Sequence, residues 1–393
     1  MMNCNERVDY RTRLTVIGVA LVLGALVAMT SIPASADFVV NFPDPGLEAA
    51  IRAEIKKPAG DILDTDVDGL MGLYARGRGI YNLEGIQYCA NLIYLWLFDN
   101  EIVDISALAG LTNLRELYLH NNQIVDISAL TGLTNLRELH LLNNQIVDIS
   151  PVAGLTNLTF ILVADNQIVD ISPLSGLTNL MRIDLEENEI VDISPLSGLT
   201  NLTWIVLFGN QIVDISPLSG LTNLIYLNLC ANQIVDISPL SALTNLTKLR
   251  LYNNQIVDIS TLSGLTNLTT LDLPSNQIVD ISPLSNLANL ERLILDENEI
   301  VAISALSSLT NLTWLQLEHN QIVDIGVLSG LTNLATLSLY ANSIRDIHAL
   351  VDNSGLGTED SVYIHSNFLD LTPGSPVMLD IEALEDRGVD VSY

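Results

Sequence analysis

Residues 114–135 read LRELYLHNNQIVDISALTGLTN, and the spacing within these 22 residues decides the fold. Leu117 and Leu119 flank Tyr118, the alternation of a short strand with one apolar face. Beyond Asn122, the residues Ile124, Ile127, Leu130 and Leu133 follow at intervals of three, which fits a tight 3₁₀-like return better than a long helix. One such segment makes one coil, consisting of a strand, a turn at the asparagine and a return.

Outward from this segment the same pattern repeats. Asparagine stands at 100, 122, 144, 166, 188, 210, 232, 254, 276, 298, 320 and 342, always 22 residues apart and without an insertion. A fixed period of this length is the signature of a solenoid, whose coils cannot bury their leucines singly and must stack. Six returns open with Ser-Pro, as at Ser216-Pro217, a hydroxyl cap followed by a proline whose missing N–H costs nothing in a first turn. Asp recurs four residues after the asparagine at 104, 126, 148, 170, 192, 214, 236, 258, 280, 324 and 346, with Ala302 as the exception. Stacked carboxylates repel, so each is expected to accept backbone N–H groups at the start of its own return rather than to share a cation.

These residues resemble leucine-rich repeats of the 22-residue bacterial kind, most closely the internalin-like secreted proteins, over residues 92–355. The resemblance implies an α/β repeat solenoid. It would be a right-handed horseshoe with a parallel concave β-sheet, a 3₁₀ and loop convex side, and helical caps at both ends. It also implies that the repeated Asn bonds backbone groups of adjoining coils. Residues 37–91 read as the N-terminal cap, where Asp44-Pro45 starts an amphipathic helix through Leu47, Ala50, Ile51 and Ile55, followed by an imperfect coil. Residues 356–393 read as the C-terminal cap, with a short helix opened by Ser375-Pro376 and a last strand over 389–393.

Residues 1–36 carry Arg7, Arg11 and Arg13, then an uncharged apolar run from Leu14 to Met29, then Ala34-Ser35-Ala36. This is the order of a cleaved secretory signal, with Asp37 as the expected first mature residue; an uncleaved anchor is the alternative. Its removal leaves a net charge of −31 in place of −30. Such an excess of acid excludes a nucleic-acid binder that works by neutralising phosphates. Cys89 and Cys230 lie six repeats apart, beyond the reach of a disulfide.

The core, turn and return columns barely change between repeats, whereas the residues around the strand leucines vary freely. These variable columns share one face and hold Tyr94, Trp96, Phe98, Tyr118, Phe160, Trp204, Phe208, Tyr226, Tyr252, Trp314 and Tyr340, with Lys248 and Arg250 beside Tyr252. Large aromatics facing water over a long sheet are typical interface anchors.

Two metal candidates are weaker than their alternatives. Glu116, His120, Glu138 and His140 offer zinc-type ligands on adjacent strands, but the histidines sit in different columns and no supporting shell is legible. Asp64, Asp66, Asp68 and Gly69 match the opening of a calcium loop whose twelfth position is Ala75, so capping of a short helix is the better account. Sequons such as Asn157-Leu-Thr159 read as by-products of the repeat, and no nucleophile, Walker or HExxH motif gives an enzyme residues to stand on. The expectation is a non-catalytic extracellular or cell-surface scaffold. It is monomeric, without cofactor, and not inserted in a membrane after the signal is removed. It binds a protein ligand through the concave face; a glycan or cell-wall binder, or a structural element of a surface assembly, are the alternatives. Larger internalin-like proteins add an immunoglobulin-like module and a wall anchor not seen in this sequence, so only free or surface-associated binding is carried over from the resemblance.

Overall fold

In the computed structural model, which describes residues 37–393, each coil turns its strand leucines inward and stacks them on those of the next. The export signal expected over residues 1–36 lies outside the described residues. Leu95, Leu117, Leu139, Leu227, Leu249 and their equivalents have no exposed surface. Fifteen three-residue strands among the described residues form one parallel sheet in sequence order, from Gly72–Tyr74 to Asp390–Ser392. The register equals the repeat, so Tyr94 pairs with Glu116 and Trp204 with Tyr226. Among the described residues twelve 3₁₀ turns, such as Ser216–Leu218, carry the chain back on the other side. The repeat solenoid read from the spacing is the fold observed.

The asparagine column supplies the polar part of the stack. Asn232 Oδ1 accepts from Ile212 N of the preceding coil, and its Nδ2 donates to Leu207 O of that coil and to Leu229 O of its own. The same set recurs from Asn100 to Asn342, and Asn367 repeats it at the C-terminal end. An amide with a donor and an acceptor is the side chain that satisfies both kinds of buried backbone group at one turn.

The aspartates act within single coils, as expected. All eleven accept the backbone N–H two residues on, as in Ser106 N to Asp104 Oδ1 and Gly326 N to Asp324 Oδ1. This bond holds Asp126, Asp192 and Asp258 below the usual carboxylate range.

Two regularities were not read from the sequence. The sequon asparagines form a second file, in which Asn157 Nδ2 donates to Thr134 O and Asn201 Nδ2 to Thr178 O, one coil back in each case. The residue before each turn asparagine is left-handed, with φ of 59° at Asp99, 53° at Asn143, 52° at Ala231 and 53° at Ala341. Asn and Asp tolerate that conformation, whereas Ala pays for its Cβ.

The ends are closed by helices. Asp44 is fully buried and caps the helix Pro45–Glu54 through Gly46 N and Leu47 N, while its other oxygen accepts from Tyr81 N and Asn82 N. A Cβ on Gly46 would come within 2.5 Å of Arg78 O, so this cap sits on the first coil only with glycine there. At the other end Arg387, next to the helix Pro376–Asp386, donates to Leu350 O and Asn353 O.

The segment weighed as the opening of a calcium loop takes the short-helix form that the capping account expects. Asp64–Val67 is a short helix, and its carboxylates serve separate segments. Asp64 accepts from Phe38 N, Asp66 from Lys57 Nζ and Leu63 N, and Asp68 from Asn91 Nδ2. Cys89 and Cys230 are buried and form no disulfide with each other.

Candidate functional site

The variable columns form one continuous face because strand residues two apart share a side and the register never slips. The strand positions flanking the central leucine, together with the residue two before the asparagine, build its three rows.

At the N-terminal end the rings stack on one another. Trp96 lies between Tyr74, edge-on at 4.7 Å, and Tyr118, parallel at 5.1 Å; Tyr118 in turn stacks on His140 at 4.0 Å. In the next row Phe98 lies between the Arg76 guanidinium at 5.0 Å and the His120 ring at 4.3 Å. Tyr94 stands beside them, exposed. Burial lowers the pKa of His120 to about 4 and that of His140 to about 3, so both rings are neutral near pH 7. Tyr118 Oη donates to Glu138 Oε2 at 2.9 Å, and burial, then the neighbouring Glu138 charge, raises the Glu116 carboxyl. The His and Glu residues weighed as zinc ligands are thus members of a ring stack and its rim. Among the described residues no three His, Cys, Asp or Glu are grouped to hold a metal ion.

In the middle of the face Trp204 is sandwiched. The Arg182 guanidinium lies 4.5 Å from its ring on one side, and Tyr226 is parallel at 3.8 Å on the other. Tyr226 is therefore buried, at 7% exposure, where the sequence reading has it facing water. The energetic reason is that the neighbouring strand, one ring-width away, covers it more completely than solvent-facing columns imply. Phe160, Phe208 and Tyr252 are half-buried and Lys248 is exposed on the same face.

Towards the C-terminal end polar groups replace rings. Arg250 pairs with Asp272 at 3.1 Å, and Arg292 lies 3.7 Å from the same carboxylate and 4.7 Å from the Trp314 ring. Asp296, 6% exposed, accepts from Glu318 N. Burial, reinforced by the Glu318 and Glu297 charges, raises its carboxyl to about 7. Trp314 Nε1 and Gln316 Oε1 are buried without a hydrogen-bond partner. Tyr340 meets His319 and His365 at 4.8 and 4.2 Å. Sequence reasoning located the aromatics but missed Tyr74, Asp296 and Gln316 and weighed His140 only as a metal ligand, because their surroundings are set by strands 20 or more residues away.

A family model described as "Leucine Rich repeats (2 copies)" matches residues 90–132, 112–154, 200–242, 223–264, 244–286, 266–309 and 310–351, and one described as "Leucine rich repeat" matches 157–212. The crystal structure of an internalin, InlF, from Listeria monocytogenes is 41% identical and covers 82% of this chain and 95% of its own, with a TM-score of 0.79. A leucine-rich-repeat protein of Leptospira interrogans is 26% identical, with a TM-score of 0.74, over 80% of this chain and 82% of its own. Internalin H of Listeria monocytogenes is 45% identical over 67 residues, which span 16% of this chain but only 12% of internalin H.

Proposed function

This chain belongs to the internalin-like leucine-rich-repeat family, and from that premise we propose that it is a non-catalytic extracellular scaffold that binds a protein through its concave face. The single observation that carries the choice of a protein over a glycan is how the rings are used. Trp204 has Arg182 over one face and Tyr226 over the other, and Tyr118 lies between Trp96 and His140. A sugar packs on an open ring face, whereas these rings turn only their edges outward. Stacked edges form a firm, half-apolar surface with polar tips, which suits a preformed protein interface with little side-chain entropy left to lose.

The ligand contacts we assign are Tyr94, Trp96, Phe98 and Tyr118 as the principal cluster, and Phe160, Trp204, Phe208, Lys248, Arg250, Tyr252, Trp314 and Tyr340 along the rest of the face, with the buried Tyr226 as the support on which Trp204 stacks. The mature chain begins at Asp37 in this reading, with residues 92–355 as twelve repeats between caps at 37–91 and 356–393, and it acts as a monomer outside the cell. Among the described residues no helix is long and apolar enough to cross a membrane.

The test is to probe residues 37–393 against arrays of extracellular proteins and of polysaccharides, beside the variant Trp96→Ala/Tyr118→Ala. Protein binding that the variant loses is the expected result. Binding confined to polysaccharides overturns the reading.

A further inference from the structure

One file of exposed side chains lies outside the concave rows. Val103, Val125, Val147, Val169, Val191, Val213, Val235, Val257, Val279, Val301 and Val323 stand three residues after the turn asparagine in eleven successive coils. Each is 48–52% exposed. Because the coils are in register, these valines lie side by side along the length of the stack, away from the concave rows. Tyr81, 58% exposed, holds the equivalent place before the file, and Arg345 closes it. Eleven half-exposed valines in one line exceed the ~300–600 Å² that the largest apolar patch of a monomer ordinarily reaches. The column holds this one apolar residue type in all eleven coils although it faces solvent.

The flanks of the file say what covers it. The next residue on one side is Asp in ten of these eleven coils, Ala302 being the exception, and two residues to the other side stands Gln or Glu throughout. Neither column holds a Lys or Arg in these coils. A shallow depression between coils is lined by Val125, Asp126, Val147, Asp148 and Pro151. A second copy of the chain would bring its own acid row against this one, and an anionic membrane surface would be repelled; a cationic partner is attracted.

Spacing narrows the partner's shape. Coils repeat at ~4.8 Å along the sheet, and a helix rises 5.4 Å per turn, so a helix laid along the file keeps i, i+4 and i+7 residues within about 2–3 Å of register over four or five coils. An extended strand repeats on one face at roughly 6.7 Å and is out of register after two. The geometry points to a second binding surface, in which the valine file and its aspartate row take a basic amphipathic helix, the apolar face on Val169–Val235 and the Lys or Arg residues over Asp170, Asp192, Asp214 and Asp236.

The test uses residues 37–393 and a fluorescent Leu/Lys peptide of about 18 residues with leucines on one helical face, read by anisotropy at low and high salt. A peptide of the same composition with the leucines scattered is the control. The expected result is binding that weakens at least about tenfold for the scattered peptide and for Val169→Ser/Val191→Ser/Val213→Ser/Val235→Ser, a charge-neutral change at exposed positions. Asp170→Asn/Asp192→Asn/Asp214→Asn/Asp236→Asn keeps an oxygen for the turn N–H and should both weaken binding and flatten its salt dependence. Equal binding of the two peptides, or an unchanged affinity in the serine variant, overturns the proposal. So does self-association by sedimentation that the serine variant abolishes, since the file would then belong to a second copy. The circular dichroism melting curve of each variant verifies that the coils remain stacked.

Discussion

The two ends of the concave face are built on the same coils and behave in opposite ways towards protons. Near Asn100–Asn144 the face is a stack of rings with His120 and His140 inside it, neutral because burial disfavours their charged forms. Near Asn298–Asn342 it is a set of buried polar groups around Asp296, a carboxylic acid that holds its proton up to about 7 for the same physical reason. Desolvation acts on both, but it favours the deprotonated imidazole and the protonated carboxyl, so the sign of the pH response depends on the residue type alone.

The largest effect expected from this contrast is at Asp296. Its pKa is near 3.8 in the unfolded chain and about 7 in the folded one, so the unfolded chain gives up its proton first as pH rises. The contribution of Asp296 to stability is therefore full below pH 4, declines from about pH 4 to about pH 7 and stays low above that. Asp296→Asn, which still accepts from Glu318 N, should stabilise the protein at pH 8 by up to about 4 kcal/mol and leave it unchanged at pH 4, read as urea midpoints at the two pH values. A variant no more stable at pH 8 than the parent would show that the Asp296 site is wetter than its burial indicates.

His140 should give the mirror image. Its folded pKa of about 3 lies below the unfolded value of 6.5, so its contribution is present above pH 6.5 and lost as pH falls towards 3. Phe keeps a ring on Tyr118 and has no proton to take. His140→Phe should be more stable than the parent at pH 4 by about 3 kcal/mol and within about 1 kcal/mol of it at pH 8, by thermal melting.

Ligand binding sharpens the comparison further. Trp96→Ala/Tyr118→Ala should weaken binding of the protein ligand by about a hundredfold, and Trp314→Ala by less than about tenfold, by titration calorimetry. Equal losses would mean that the ligand spans the whole face.

The smallest effect concerns the left-handed turn residues. Near the N-terminal end Asn121 and Asn143 occupy this position, and their side chains bond along the file from Asp99 to Asn121 to Asn143. At the other end Ala341 holds φ of 53° with no such compensation. Ala341→Gly should add about 0.5–1 kcal/mol by urea denaturation, whereas Asn121→Ala should cost a similar amount.

Much of this was legible from the residues. The period gave the strands, the coils and the local role of the aspartates, and the family resemblance implied the parallel sheet and the role of the turn asparagines, because each of those depends on contacts within a coil or with its neighbour at a constant offset. The concave aromatics were found by their columns. Their stacking was not, since whether Trp204 meets Arg182 and Tyr226 or meets water depends on side-chain direction across three strands. The same holds for Asp296: its column, two residues before Asn298, is legible, but the burial and the Glu318 charge from the next strand that make it an acid that keeps its proton are not. The second asparagine file was dismissed as a by-product because a sequon motif attracts a chemical reading before a structural one.

The unbroken spacing of the turn asparagines has an evolutionary consequence. Every turn amide grips its own coil and the one before in the same way, so a unit cut out or copied whole leaves its neighbours with partners identical to those they had. Recombination between the near-identical coding segments can therefore lengthen or shorten the molecule in single steps, each yielding a foldable product. A lineage carrying this chain can try new combinations of surface residues at the rate of crossing-over rather than that of point mutation.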